Sequence, residues 1–533
     1  MAYTIPNSCF GCGSCQPQCP TGAIQLDDEQ YWIEPDLCNS CKGYYPEPQC
    51  VTGCPISSPV PLKAKKGRYK TDTRLATSPD LFVNGKNTHF ASSMVIWEAC
   101  KVLTSATILP WEIDHEGKLY YQQSVKQGQG TITFRLTNNL ESNSPKTLDY
   151  IAAKKAIESI DIRSACLHLI YAAYATTLDK PWEQEFVIDD RQIEKYLGLD
   201  KRTDLSKAAK LTVIKDIAQQ PCKITTSIDW PQQGKVKGFC LEESHLWHLL
   251  EIKHYFQEDS QGYKHLVGLT FRVRAGIWAE YFLNKQDYKK RTAFYQYGTL
   301  PKFILNTVAT VWQQHKGTVR MMLWLLFKTK MRKQQCLKVS TLMYIAYGKE
   351  KVNQASSQRE VRKRLVQTFE SDLEVLNHYG LKPIFDSVTY TPEIQPLWAK
   401  LAVLPDDADA ALDFWIDDGS RDQRLTDSGP RGKWNLLMEA RFLGFNLPAE
   451  WEQQLAKFEA KKQRIMSKRS KSKTTTGLSA QQILSARKRR GMTQRGLAEM
   501  TGKSQSWIRD LEKGRLSAKP EDQALLRKVL GLG

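Results

Sequence analysis

C-F-G-C-G-S-C-Q-P-Q-C-P at residues 9–20 is followed by C-N-S-C at 38–41 and C-V-T-G-C-P at 50–55. Two runs of four cysteines result: Cys9, Cys12, Cys15 and Cys19, then Cys38, Cys41, Cys50 and Cys54, each closing on Cys-Pro. The spacing selects the chemistry. Three thiolates at two-residue gaps wrap three corners of an iron–sulfur cubane, whereas zinc sites use separated C-x-x-C pairs. Two 4Fe-4S clusters are expected, with zinc or a single surviving cluster as the alternative.

In this spacing the segment resembles the bacterial two-cluster ferredoxins. The resemblance implies crossed ligation, in which Cys9, Cys12, Cys15 and Cys54 hold cluster 1 and Cys38, Cys41, Cys50 and Cys19 hold cluster 2. Short strands are expected at Ala23-Ile24 and Tyr31-Trp32-Ile33 around the turn-rich Asp27-Asp28-Glu29. The second run departs from the simplest form, because Lys42 to Gln49 separate Cys41 from Cys50, an insertion that some two-cluster ferredoxins share.

At 533 residues the chain is too long for one domain. Its net charge of +19 is unevenly placed. Residues 1–60 carry Asp27, Asp28, Glu29, Glu34, Asp36 and Glu47 against Lys42 alone, so that segment is net −5 and the remainder net +24. An acidic head on a basic body suggests two different partners, with a polyanion such as nucleic acid the default for the body and a spread of solvated faces the plainer reading. No start-proximal apolar run resembles a signal peptide, and Met321 to Phe327 is too short to span a bilayer. A cytoplasmic protein is expected, in which clustered cysteines mean metal. Cys100, Cys166, Cys222, Cys240 and Cys336 stand singly and receive no chemistry.

The expected organisation is a ferredoxin-like α+β domain at 1–60, a basic linker at 61–79, mixed α/β regions at 80–300 and 301–400, an acidic loop and helical hairpin at 401–460, a basic flexible linker at 461–478, and an all-α domain at 479–533. Helical spacing covers His89 to Ser105 and Leu148 to Thr177, while Lys118 to Tyr121 and Thr131 to Leu136 alternate as strands. Two stretches repeat one order. Arg191 to Leu197 ends at Gly198 and leads to a helix at Leu205 to Gln219 and strands at Lys223 to Ile228 and His265 to Arg274. Ser340 to Ala346 ends at Gly348 and leads to a helix at Arg359 to Tyr379 and a strand around Pro383. The pattern resembles the paired winged helices of plasmid replication initiators, at 189–274 and 301–400. Two ordinary α/β subdomains are an equal alternative. No P-loop, G-x-G-x-x-G or H-E-x-x-H occurs, His245, His248 and His254 read as solvent or core histidines, and no catalytic residue is assigned. An enzyme is not expected. The aspartates between Asp406 and Asp427 read as a solvated loop.

Residues 479–530 read as five short helices: Ala480 to Arg490, Gln494 to Thr501, Gln505 to Lys513, and two weaker ones after Ser517. Thr493 and Ser504 are placed to N-cap the second and third, and Gly491, Gly502 and Gly514 to end the first three. The signature T-Q-x-x-L-A-x-x-x-G-x-S-x-x-x-I-x-x-L-E-x-G, Thr493 to Gly514, resembles the phage-repressor helix-turn-helix. By that resemblance Gln505, Ser506 and Asp510 face bases, Arg509 lies at the groove edge, Gln494 positions against a phosphate, and Lys513 and Arg515 complete the DNA-binding set. A three-helix dimerisation fold is the alternative.

With these two ends and this length, the chain is similar in domain order to the cyanobacterial PatB/CnfR-type activators of nitrogen-fixation genes. That resemblance implies a transcription factor acting when oxygen is low, with promoter DNA as partner, RNA polymerase and a redox partner as further candidates, and a homodimer as a candidate state. The rival readings are a ferredoxin-type electron carrier tethered to DNA or to a partner, and a replication-initiator-like DNA-binding protein.

Overall fold

The computed structural model describes residues 2–532 except 7–8, 28–29, 35–36, 63–69, 72–73, 141–144, 259–263, 329–335, 403, 406, 421–429, 450, 454–477 and 517. Nearly all of the expected basic linker at 461–478, much of the one at 61–79, and Asp406, Asp422 and Asp427 lie outside the described residues. The chain divides into two compact units, Met1–Trp451 and Glu452–Gly533. Among the described residues no helix is long and apolar enough to cross a membrane.

The first sixty residues carry four short strands: β1 (Tyr3–Thr4), β2 (Ile24–Asp27), β3 (Gln30–Ile33) and β4 (Val60–Pro61). β2 and β3 form a hairpin with Ile24 opposite Ile33. β1 pairs antiparallel with β4, Tyr3 opposite Pro61, so the segment closes end on end. Its buried centre consists of Ile5, Cys15, Ala23, Ile24, Ile33 and Cys50. So small a core does not hold a domain without further ties.

Two order-of-element repeats follow. In the first, α1 (Ser164–Thr177) is succeeded by β5 (Glu185–Asp189), α2 (Asp190–Tyr196), α3 (Lys207–Gln219), β6 (Trp247–Glu258) and β7 (Lys264–Ala275). β5 pairs with β7 and β7 with β6, all antiparallel. Asp189 starts α2 with a capping box shared with Gln192, and Ser206 caps α3 by accepting from the Ala209 amide. α1 is buried from Ser164 to Thr176, which suits a sequence apolar on every face.

The second repeat has α4 (Lys316–Lys328), β8 (Leu337–Lys338), α5 (Val339–Tyr347), α6 (Lys349–Ser357), α7 (Arg359–His378), β9 (Lys382–Phe385) and β10 (Arg441–Asn446). Its sheet order matches the first: β8 pairs with β10, and β10 with β9. The helices after the first strand also break alike, at Gly198 (φ 67°) and Gly348 (φ 83°), left-handed positions that favour glycine.

Four expectations are corrected. The helical hairpin placed between Trp434 and Ala460 is a helix at Lys433–Glu439 followed by strand β10. The two edges left open by β8 and β9 supply its hydrogen-bond partners, and tertiary pairing outweighs local helical spacing. The second repeat therefore extends beyond residue 400. Within the aspartate-rich loop, Ala408–Gly419 is a helix that Asp407 caps by accepting from the Ala410 amide. The helix expected from His89 begins at Met94, because Asn87–Ala91 is a strand paired with Tyr297–Pro301, and the one expected over Leu148 to Thr177 is broken at Ile160 by extended backbone. His245, His248 and His254, read as solvent or core histidines, lie on strands. His245 is buried in the strand Phe239–His245, and burial, then Arg274 and His245, pull His248 down to about 4.

Candidate iron–sulfur and nucleic-acid sites

The cysteine loops are shaped by glycine. Gly11 (φ 74°) and Gly13 (φ 73°) take left-handed backbone between the first three cysteines, and a Cβ on Gly13 would lie 2.7 Å from the Tyr31 hydroxyl. Of the three cysteines in these turns Cys15 is buried and Cys12 exposed. The structure brings Cys54 to the first run and Cys19 to the second. Burial first, and then the thiolates of Cys9, Cys54 and Cys12, push the Cys15 thiol up. Cys50 is pushed up to about 12 by burial and then by Cys38, Cys41, Cys15 and Cys19. Cys19, Cys38, Cys41 and Cys50 line one pocket.

Backbone amides address the sulfurs: Ser58 N donates to Cys54 Sγ at 3.2 Å, Ala23 N to Cys19 Sγ at 3.3 Å, Tyr3 N to Cys38 Sγ at 3.4 Å, and Gln49 N to Cys41 Sγ at 3.5 Å. Thiolate donors surrounded by N–H groups fit an iron–sulfur cluster, whose potential such hydrogen bonds tune. Among the described residues no three Cys, His, Asp or Glu groups stand close enough to share one metal ion. A cubane spreads its thiolates over four iron corners, a wider cage than the shell of about 2.3 Å around one zinc.

Sequence reasoning gave no sign of what β3 touches. Trp32, 4% exposed, packs against His254 (4.9 Å between ring centroids) and Phe256 (5.4 Å) of β6. Glu34, equally buried, accepts from Thr212 Oγ1 at 3.4 Å and pairs with Lys215 Nζ at 3.5 Å, both on α3. Lys215 also donates to Gln25 Oε1 at 3.1 Å and lies over the Trp32 ring at 5.4 Å. The thiol-bearing module is thus seated on α3 and β6 of the first repeat. Its interface reaches the ligand loop, because Cys38 N donates to the Glu34 carbonyl at 3.0 Å.

Among its described residues the C-terminal unit has four helices: α8 (Ala480–Arg489), α9 (Gln494–Thr501), α10 (Gln505–Glu512) and α11 (Pro520–Leu530). The last is one helix where two were expected; Pro520 suits its first turn, and Glu521 and Asp522 complement its dipole. Ser479, Thr493 and Ser504 cap α8, α9 and α10 by accepting from the amides of Gln482, Gly496 and Trp507. Ile483, Leu497, Ile508, Leu511, Leu526 and Leu530 fill the core.

The expected DNA-reading residues divide. Gln505, Ser506, Arg509, Lys513 and Arg515 are exposed on and after α10. Asp510 is half-buried, with Arg509 at 3.7 Å and Arg515 at 3.8 Å, so those guanidiniums lie beside a carboxylate. Gln494 donates from Nε2 to Glu512 Oε2 at 2.7 Å, which commits its amide nitrogen within the domain. Trp507 packs against the core under Lys503 (5.5 Å), leaving its ring little freedom to stack on a base.

Glu512 is the centre of a polar lock that the signature contains without announcing. It accepts from Arg487 Nε and Nη2 and from Gln494, while Arg487 Nη1 donates to the Met492 carbonyl at 2.6 Å. Desolvation raises the Glu512 carboxyl, but the hydrogen bonds from Arg487 and Gln494 outweigh it and hold the group below its usual range. A carboxyl lowered by folding stabilises the folded state above its unfolded pKa, near 4.3, and loses that contribution as pH falls through the folded value. Acid titration followed by hydrogen exchange of residues 480–530 should show protection falling below about pH 4.3. A Glu512→Gln variant, already lacking this contribution, should lose less over the same interval; parallel losses would count against the lock.

The site and the capped helix pair define an iron–sulfur protein with a DNA-binding helix-turn-helix domain. The family described as "4Fe-4S binding domain" matches residues 2–25, and that described as "Helix-turn-helix domain" matches residues 480–533. Ferredoxin-2 of Chlorobaculum tepidum is 43% identical over 56 residues, 10% of this chain and 90% of that protein. Ferredoxin Fdx2 of Sorangium cellulosum is 43% identical over 61 residues, 11% of this chain and 60% of the relative. A ferredoxin-like protein in nif region of Nostoc sp. is 47% identical over 57 residues, 10% of this chain and 49% of the relative. Through its N-terminal module the chain belongs to the 4Fe-4S ferredoxin family; it spans about half to three fifths of the Nostoc and Sorangium relatives. A crystal structure of RctB domains 2-3 overlays on 52% of this chain and 83% of its own at 13% identity, with a TM-score of 0.27.

Proposed function

We propose that this protein is an iron–sulfur-dependent transcription regulator that activates nitrogen-fixation genes when oxygen is low, acting in the cytoplasm on promoter DNA and contacting RNA polymerase. Two 4Fe-4S clusters are its sensor, held by Cys9, Cys12, Cys15 and Cys54 and by Cys38, Cys41, Cys50 and Cys19. When bound, such clusters supply redox-active, oxygen-labile centres. The protein's own part is to convert their integrity into a change of shape. The observation that carries this reading is the seat of the module on α3, where Glu34 joins the Cys38 amide to Lys215. Loss of a cluster would loosen a module too small to hold itself, and with it that seat. Gln505 and Ser506 at the start of α10 are the proposed base readers, and the two repeats are proposed to be winged helices.

The test is promoter occupancy and reporter output for Cys12→Ser and Cys41→Ser in cells grown without oxygen. Both variants should fall to a tenth of the parent or less, while protein abundance and binding to non-specific DNA persist. Full output from both would remove the sensor role and leave an electron carrier attached to DNA.

A further inference from the structure

The two repeats share their sheet pairing, the second with α6 added before its long helix, yet those long helices carry opposite electrostatic states. On α3 every lysine is quenched: Lys207 pairs with Asp190 (3.0 Å) and Glu194 (3.3 Å), Lys210 with Glu194 (3.1 Å), and Lys215 with Glu34 beneath the iron–sulfur module. α7 is the reverse. Arg359, Lys363 and Arg364 stand exposed on its first two turns, with Lys349 and Lys351 exposed on the adjoining α6. Among the described residues none of the five makes an ion pair, and Glu360, the one acid among residues 359–364, makes none either. Arg362 is occupied structurally, donating to the Ala355 and Ser356 carbonyls at 2.9 and 2.7 Å and so fixing α6 against α7.

We infer that the α6–α7 face is a second binding site for duplex DNA, separate from α10. Three arguments converge. In helix-turn-helix proteins a helix beyond the turn enters a groove with its N-terminal residues foremost, and α7, reached from the Gly348 turn through α6, carries exposed cations at that end. Residues 349–364 carry six cations against Glu350 and Glu360, and an excess of that sign in so short a span costs self-repulsion that a polyanion would relieve. In the first repeat the long helix is engaged by a protein module at Thr212 and Lys215, whereas among the described residues the α7 cations have no such engagement. Phosphate contact by arginine and lysine supplies affinity without sequence preference, which complements base reading by Gln505. The site rests on the charge and exposure of α7 and does not depend on the reading of α10.

The experiment uses the full chain, purified without oxygen, and a random-sequence duplex of about 40 base pairs, with binding measured by anisotropy between 50 and 200 mM KCl. The triple variant Arg359→Ala, Lys363→Ala, Arg364→Ala should lower the slope of log affinity against log salt by about 3, so that the parent loses roughly 40 times more affinity than the variant over that range. Lys207→Ala with Lys210→Ala, on the quenched helix, should leave the slope unchanged. Gln505→Ala should alter base preference without altering this slope, so a failure at α10 is distinguishable from one at α7. Lys363→Glu, a single exposed change, checks the triple variant against misfolding and should lower the slope by itself. An unchanged slope in both α7 variants would overturn the inference.

Discussion

Replacing Trp32 with alanine should release the iron–sulfur module from α3 while leaving its thiol framework in place. The indole is not among the residues that pack around the cysteines; its contacts are with His254, Phe256 and the ammonium of Lys215. Removing a buried aromatic costs about 3–5 kcal/mol, more than the surrounding hydrogen bonds of Glu34 and Gln25 restore at about 1 kcal/mol each. Iron content should therefore match the parent, whereas hydrogen exchange in β6 and in residues 207–219 should rise by two orders of magnitude or more. Exchange equal to the parent's would mean that the module is held elsewhere.

Arg487→Met should unfold most of the C-terminal domain at growth temperature. The substitution leaves Glu512, whose side chain is 3% exposed, without its guanidinium, and a buried charge stripped of its partner costs about 3–5 kcal/mol. A domain of this size has little more than that to lose. Arg495→Ala is the matched comparison, since Arg495 and Glu499 are 82% and 73% exposed and an exposed helical pair contributes about 0.3–0.5 kcal/mol. Hydrogen exchange of residues 480–530 in the full chain should separate the two by several kcal/mol. Equal behaviour would show that the lock is dispensable.

What could be read beforehand was local. Cysteine gaps and Cys-Pro closures name a chemistry without any tertiary information, and the caps at Thr493 and Ser504 bound α9 and α10 because each satisfies amides a few residues away. What escaped was made by distant residues. β10 is a strand because β8 and β9 lie on either side of it and offer it two edges, with Leu337 opposite Phe442, 105 residues on, and Lys382 opposite Asn446, 64 residues on. Trp32 reads as a hairpin residue in sequence and is an interface residue in space, since the surface that covers it comes from residues 212–256. Glu512 was visible as part of a signature, but the partner that makes it matter, Arg487, lies outside that signature. Gln494 and Asp510 were assigned outward roles from the signature alone, which does not contain the pairing of Gln494 with Glu512 or the closeness of Arg509 and Arg515 to Asp510.

The end-on-end closure of Tyr3 with Pro61 sets a timetable for manufacture. During synthesis the cysteine loops are complete once residue 61 has left the ribosome, but Phe256, which covers Trp32, arrives 195 residues later. At about 5–20 residues per second that interval is roughly 10–40 s. Throughout it the newborn module lacks the aromatic cover of Trp32, and for the first 154 of those residues it lacks Lys215, the partner of Glu34, as well. The cysteine loops are thus complete and open to metal before the surface of α3 and β6 that covers Trp32 has been made.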